Sequence, residues 1–204
     1  MKSGAIGKRK ETFIAMAILT VLIAVTTLTS VGYIRTSGRN VNIVPIFVII
    51  GAIRYGQSCG AYLGAVFGIS SFIRCFFPSF DLGQSFIQSN PYHTFLVCVL
   101  PRVLMGFCCS LIFKFFCQNC SKNFSYVIAS FSGGFLNTLF VSMSLMLAFY
   151  KSDYVQSLGS HFTQMVRTLI TFNSYLEWII FTVVGSLVLY IIGRLTDKNK
   201  GEVS

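Results

Sequence analysis

An all-α membrane protein with six transmembrane helices is the fold class this sequence predicts, and three observations predict it. Hydrophobic residues make up 54% of the 204-residue chain and charged residues only 11%, whereas a soluble domain carries about a quarter charged residues. Mean hydropathy is +0.71. The apolar residues also arrive in blocks of membrane length rather than at amphipathic spacing.

The first block, Thr12–Ile34, follows Lys2, Lys8, Arg9 and Lys10. A basic front suits a signal peptide, but the apolar stretch is too long and no small-residue cleavage site follows, so retention is expected. The second block, Ile43–Arg54, is short and holds Pro45. It is expected to be tilted or partly irregular, which a membrane tolerates only where protein or a cavity covers the backbone. Gly60–Phe77, Thr94–Phe116, Tyr126–Phe149 and Tyr175–Leu195 complete the set. Two long connections, Pro78–His93 and Tyr150–Ser174, are either lids over an outward pocket or ordered caps. The chain therefore reads as one integral domain, 1–204, with residues 1–11 and 196–204 as short tails.

A net charge of +10 would suit nucleic acid only if it formed a concentrated basic surface. Here the basic residues lie scattered between apolar blocks, and topology accounts for them. Six spans put both termini on one side. Lys2, Lys8, Arg9, Lys10, Arg54, Lys114, Lys122, Arg194, Lys198 and Lys200 share that side, against Arg35, Arg39, Arg74, Lys151 and Arg167 on the other. The positive-inside rule makes both termini cytoplasmic. The sequons at Asn119 and Asn123 then face the cytoplasm and carry no weight. Seven cysteines, an odd number lying mostly within apolar blocks, do not form a disulfide framework. Cys117-x-x-Cys120 is half of a metal or redox motif without its second half.

Arg102 makes the sharpest demand on function. A guanidinium in the middle of an apolar span costs about 2.5–3.5 kcal/mol on insertion scales. At a rise of 1.5 Å per residue it sits roughly 12 Å below the outer start of the fourth block. Its neighbour Pro101 kinks the helix and leaves carbonyls as open acceptors. Arg74 lies near the outer end of the third block and Asn137 in the middle of the fifth. Asn173 and Glu177 open the sixth on one helix face. Two Arg and one Glu in the outer half leave a positive balance, which suits a small anionic or carboxylate-bearing ligand.

Each member also has a plainer reading: Arg74 snorkels to the interface, Glu177 is the counter-ion of Arg102, Asn137 joins helices. Catalysis has little support, because His93 and His161 fall in outer loops with no nucleophile beside them. Gly4-Ala-Ile-Gly7-Lys8 has the wrong spacing for a phosphate-binding loop. In the first block Ala17, Thr20 and Ala24 line one small face that Thr27 continues. Such a face admits a close helix, either from this chain or from a partner.

The order of these features resembles the substrate-binding S components of bacterial energy-coupling factor (ECF) transporters, over nearly the whole chain. The resemblance rests on the basic start before a small-residue helix, on Ile49-Ile-Gly-Ala-Ile-Arg-Tyr-Gly56 and on Gly60-Ala-Tyr-Leu-Gly-Ala-Val-Phe-Gly68. Ser70-Ser-Phe-Ile-Arg-Cys75, Val99-Leu-Pro-Arg-Val-Leu-Met-Gly106, Gly133–Thr138 and the Asn173 to Glu177 start extend it. The Ala-x-x-x-Ala pattern of the family's first helix is not kept, since Leu19 follows Ala15 and Val21 follows Ala17. Leu100-Pro-Arg102 and Asn137-Thr138 look most like the pantothenate-type branch, while flavin, pyridoxine-like, pyrimidine-precursor and folate binders are its alternatives.

The resemblance implies a multi-pass bacterial membrane subunit that captures a vitamin from outside through Arg74, Arg102, Asn137, Asn173 and Glu177. It implies docking, through Ala17, Thr20 and Ala24, on a transmembrane coupling subunit that works with two ATPases. ATP would be used by those partners, so no cofactor is expected in this chain. A stand-alone secondary carrier and a membrane-embedded enzyme are the rival readings.

Overall fold

The computed structural model describes residues 2–29, 32–36, 39–77, 81–149 and 172–201. Seven helices are described. They are α1 (Lys2–Leu28), α2 (Pro45–Tyr55), α3 (Gln57–Arg74), α4 (Asp81–Ser89), α5 (Pro91–Asn119), α6 (Lys122–Phe149) and α7 (Phe172–Gly201). Four of them, over Lys10–Leu28, Pro91–Asn119, Lys122–Phe149 and Ser174–Leu195, are long and apolar enough to cross a membrane. Phe13, Ile18, Phe115, Leu147 and Val183 stand exposed along them, a surface that a bilayer covers and water does not.

The first expected span is corrected at its C-terminal end. The helix stops at Leu28 instead of continuing to Ile34, and the chain turns into an antiparallel hairpin, β1 (Tyr33–Thr36) and β2 (Arg39–Asn42). The fold is thus helical with one two-stranded addition. Local chemistry explains the stop. Thr26, Thr27 and Thr29 each return their hydroxyls to the carbonyl four residues back, a bond that competes with continued helix. Gly32 then lies so close to the Thr26 carbonyl that a Cβ would collide with it. In the hairpin, Thr36 pairs with Arg39 and Tyr33 with Asn42, which leaves two residues between the strands, a favoured hairpin length.

The short second block is α2. Its 11 residues span about 16 Å, half of a hydrocarbon core. Pro45 does not bend it. The ring occupies the first helical turn, where a missing N–H costs nothing. Eight residues of α2 are buried, among them Val48, Ile49 and Ala52 with no exposed surface. The helix is therefore the centre of the core, ringed by Ile23, Leu63, Phe67, Met105 and Phe181. Gly56, at φ +93°, joins it to α3 in one residue.

Glycines set the tightest contact. Gly60, Gly64 and Gly68 on α3 face the backbone of α5, where a Cβ at Gly64 would strike the Arg102 carbonyl and one at Gly68 would lie 2.6 Å from the Val99 Cα. Gly60 and Gly106 oppose each other in the same way. Small residues at i, i+4, i+8 permit this approach.

Within the connection Pro78–His93, α4 occupies Asp81–Ser89. Phe86 packs 4.7 Å from the ring of Phe149. Asn90 then starts α5 by accepting from the Tyr92 and His93 amides, with Pro91 at the first turn. Residues 150–171 of the other long connection lie outside the described residues.

Candidate functional site

Pro101 and Arg102 act as a pair. Proline has no N–H for the carbonyl four residues back, so the Val97 oxygen is left without its helical donor. Arg102 Nη1 donates to that oxygen at 2.6 Å. The guanidinium carbon lies 5.5 Å from the centre of the Phe67 ring, which is fully buried. Nε is buried and makes no hydrogen bond, and Nη2 makes none with the described residues. With Nη1 occupied, the Nε–Nη2 edge is the free side of the fork, and that edge matches a carboxylate with two parallel bonds. Among the described residues no acid pairs with it.

Glu177 is engaged elsewhere, which removes the expected counter-ion role. Its Oε1 accepts from the Asn42 amide at 3.0 Å, while Asn42 Oδ1 accepts from the Val44 amide at 3.0 Å. The carboxylate thereby ties the end of the hairpin to the start of α7. Arg74 is buried rather than snorkelling, and its Nη1 donates to the Thr27 carbonyl at 3.1 Å. That bond joins the ends of α1 and α3. Arg74 and Arg102 share a neighbourhood: both guanidiniums lie within electrostatic reach of the Cys75 thiol, which donates to the Ser71 carbonyl at 3.3 Å.

Asn137 lies partly buried on α6, with its Oδ1 sealed from solvent and without a hydrogen-bond partner. The next residue, Thr138, accepts from Trp178 Nε1 at 3.1 Å, and Phe135 packs 5.3 Å from the Trp178 ring. Asn137 thus precedes, on α6, the residue that bonds Trp178, and Trp178 follows Glu177 on α7. Asn173 belongs to the first turn of α7, and its side chain lies outside the described residues. No direct contact joins Asn137 or Glu177 to either arginine among the described residues. The candidate residues thus stand apart: Arg74 and Arg102 on α3 and α5, Asn137 on α6, and Glu177 tying α7 to the hairpin.

Sequence reasoning missed the glycine stripe that fixes the Arg102 backbone. Its signal was present, as Gly60, Gly64 and Gly68 at intervals of four. The small face of α1 divides along its length. Ala17 is exposed, Thr20 turns a buried and unpartnered hydroxyl inward, and Thr27 is fully buried. Ala17, Thr20 and Ala24 each keep some exposed surface, and Thr27 keeps none.

A family model described as "ECF transporter, substrate-specific component" matches residues 14–191. No curated protein matches the chain.

Proposed function

We propose that this chain, which belongs to the ECF transporter substrate-specific component family, captures a carboxylate-bearing vitamin, pantothenate first, for ATP-driven uptake. Membership makes it a membrane transporter subunit that works with an ECF membrane component, ATPase components and a small-molecule substrate. In the proposed arrangement the chain crosses the membrane six times with both termini cytoplasmic, α2 serving as a short, protein-covered crossing. Substrate enters from the side of the hairpin and α4. Arg102 binds the carboxylate through its Nε–Nη2 edge and Arg74 adds positive potential. Asn137, Asn173 and Glu177 offer amide and carboxylate groups to the substrate's polar body. Ala17, Thr20 and Ala24 meet the coupling subunit, and ATP is consumed by its partner ATPases, with no cofactor held here.

One observation carries this reading: a half-buried guanidinium with Nη1 fixed by a proline-orphaned carbonyl and a sealed, unpaired Nε. A buried cation without an anion is costly, so a ligand anion at that edge offsets what the apo state leaves unmet. The test is calorimetric titration of the purified chain with a panel of water-soluble vitamins. Preferential binding of pantothenate supports the full reading. Selection of a vitamin without a carboxylate would overturn the role given to Arg102.

A further inference from the structure

At the end of the bundle away from the hairpin, α6 and α7 part around a groove of about 410 Å³. Tyr126 and Val127 on α6, with Val183 and Leu187 on α7, give it apolar walls. Towards the helix ends it continues into a polar recess of about 160 Å³, with Lys122 and Arg194 at its rim. Asn123, Tyr126 and Tyr190 line both parts, so the two are one cleft that changes from oily to cationic along its length. None of the described lining residues is acidic.

Two details show that the polar end is built. Tyr126 is only 5% exposed, its ring stacked on Phe113 at 5.4 Å and 2°, yet its hydroxyl makes no hydrogen bond with the described residues. Beside that hydroxyl the wall is bare backbone: a Cβ added at Gly193 would lie 3.4 Å from it. Arg194 is held over the cleft by its own helix, with Nε donating to the Tyr190 hydroxyl at 2.9 Å and the guanidinium 5.3 Å from that ring.

We propose that this cleft is a binding site for one anionic phospholipid. The phosphate lies among Arg194, Lys122 and the Tyr126 hydroxyl, and the first part of an acyl chain runs between Val127, Val183 and Leu187. The apolar extension favours a lipid over a free anion, and the two cations favour an anionic over a zwitterionic headgroup. The inference rests on the chain spanning a membrane and not on the vitamin it binds.

The full chain is reconstituted in nanodiscs of phosphatidylcholine with a minor share of phosphatidylglycerol, released into mild detergent, and weighed intact by native mass spectrometry. Both leaflets carry both lipids, so the result is independent of orientation. Phosphatidylglycerol is expected to be retained selectively, and Arg194→Gln and Lys122→Gln each to lower that retention roughly fivefold without affecting phosphatidylcholine. Gly193→Leu fills the cleft and lowers retention of either lipid, while Tyr126→Phe preserves the Phe113 stack, removes a contact to the phosphate that both lipids carry, and lowers both while leaving the preference for phosphatidylglycerol in place. Each variant is compared at a melting temperature equal to that of the parent chain. Equal retention of the two lipids, or retention unchanged in the Lys122→Gln, Arg194→Gln double variant, overturns the proposal. Inorganic phosphate binding that those substitutions weaken but Gly193→Leu does not would assign the recess to a free anion and overturn it equally.

Discussion

Arg102 and the ligand carboxylate can be tested as a coupled pair. The perturbation is a square of four measurements: parent chain and Arg102→Gln, each with pantothenate and with the analogue whose carboxylate is replaced by a primary alcohol. Glutamine keeps an amide N–H for the orphaned Val97 carbonyl and removes the charge. In the parent chain Nη1 is committed to Val97 at 2.6 Å, and the Nε–Nη2 edge is unpaired. One hydrogen bond to a charged group contributes about 1.5–3 kcal/mol, and each 1.4 kcal/mol is about tenfold in affinity. Pantothenate binding should therefore fall by at least about tenfold in Arg102→Gln, towards a hundredfold if both edge bonds form. The alcohol should bind both proteins within about threefold. Isothermal titration in detergent reads all four corners, with thermal unfolding as the check on folding. Additive losses, with a coupling below about 0.5 kcal/mol, would refute the assignment and make Arg102 a structural partner of Pro101.

Three further outcomes follow from the geometry. Asn137→Ala removes an amide oxygen that bonds to nothing in the apo protein, so melting temperature should hold while vitamin affinity falls by about one hydrogen bond, some fivefold; a drop in melting temperature with unchanged affinity would return the residue to packing. Gly64→Ala puts a methyl group into the Arg102 carbonyl and should destabilise the chain by about 1–3 kcal/mol, read by thermal unfolding in detergent; an unshifted melting temperature would show that α3 and α5 are not held this closely. Glu177→Ala should speed hydrogen exchange at the Asn42 amide, whereas Glu177→Gln keeps an acceptor and most of the protection; equal exchange in all three proteins would mean that the tie to the hairpin does not form.

Composition and block length were enough to read the four long apolar helices, because the physics of a bilayer is written into runs of apolar residues, whereas α4 lay inside a stretch read as a connection. Where the runs end was harder. Counting apolar residues carried the first helix on to Ile34, although Thr26, Thr27 and Thr29 back-bond to their own helix and a Ser37-Gly38 pair sits between β-branched and aromatic residues. Both signals are local, and both were outweighed by hydropathy. The acceptor for Arg102 was half legible: Pro101 announces an orphaned carbonyl, and the helical repeat of four names Val97. The acceptor for Arg74 is 47 residues away and the donor to Glu177 is 135 residues away. No periodicity reaches that far, so two of the five site residues acquired partners that only the packed structure supplies.

The same distinction separates fold from function in this site. Pro101 alone would leave a carbonyl unmet in a dry helix, and Arg102 alone would leave a cation there. Side by side, one Nη group satisfies the carbonyl, and the bond fixes the plane of the guanidinium over Phe67. Satisfying the proline's defect uses one of the five donors and leaves the Nε–Nη2 edge oriented, with Nε sealed from solvent. A freely turning arginine would lose rotamer entropy on meeting a ligand, whereas one already pinned through Val97 has lost much of it during folding. The glycine stripe serves the same end, since only Gly64 lets the α3 backbone lie against the Arg102 carbonyl. Two features that are each unfavourable in a membrane thus combine into one oriented guanidinium, and it is on this orientation that the proposed carboxylate site rests.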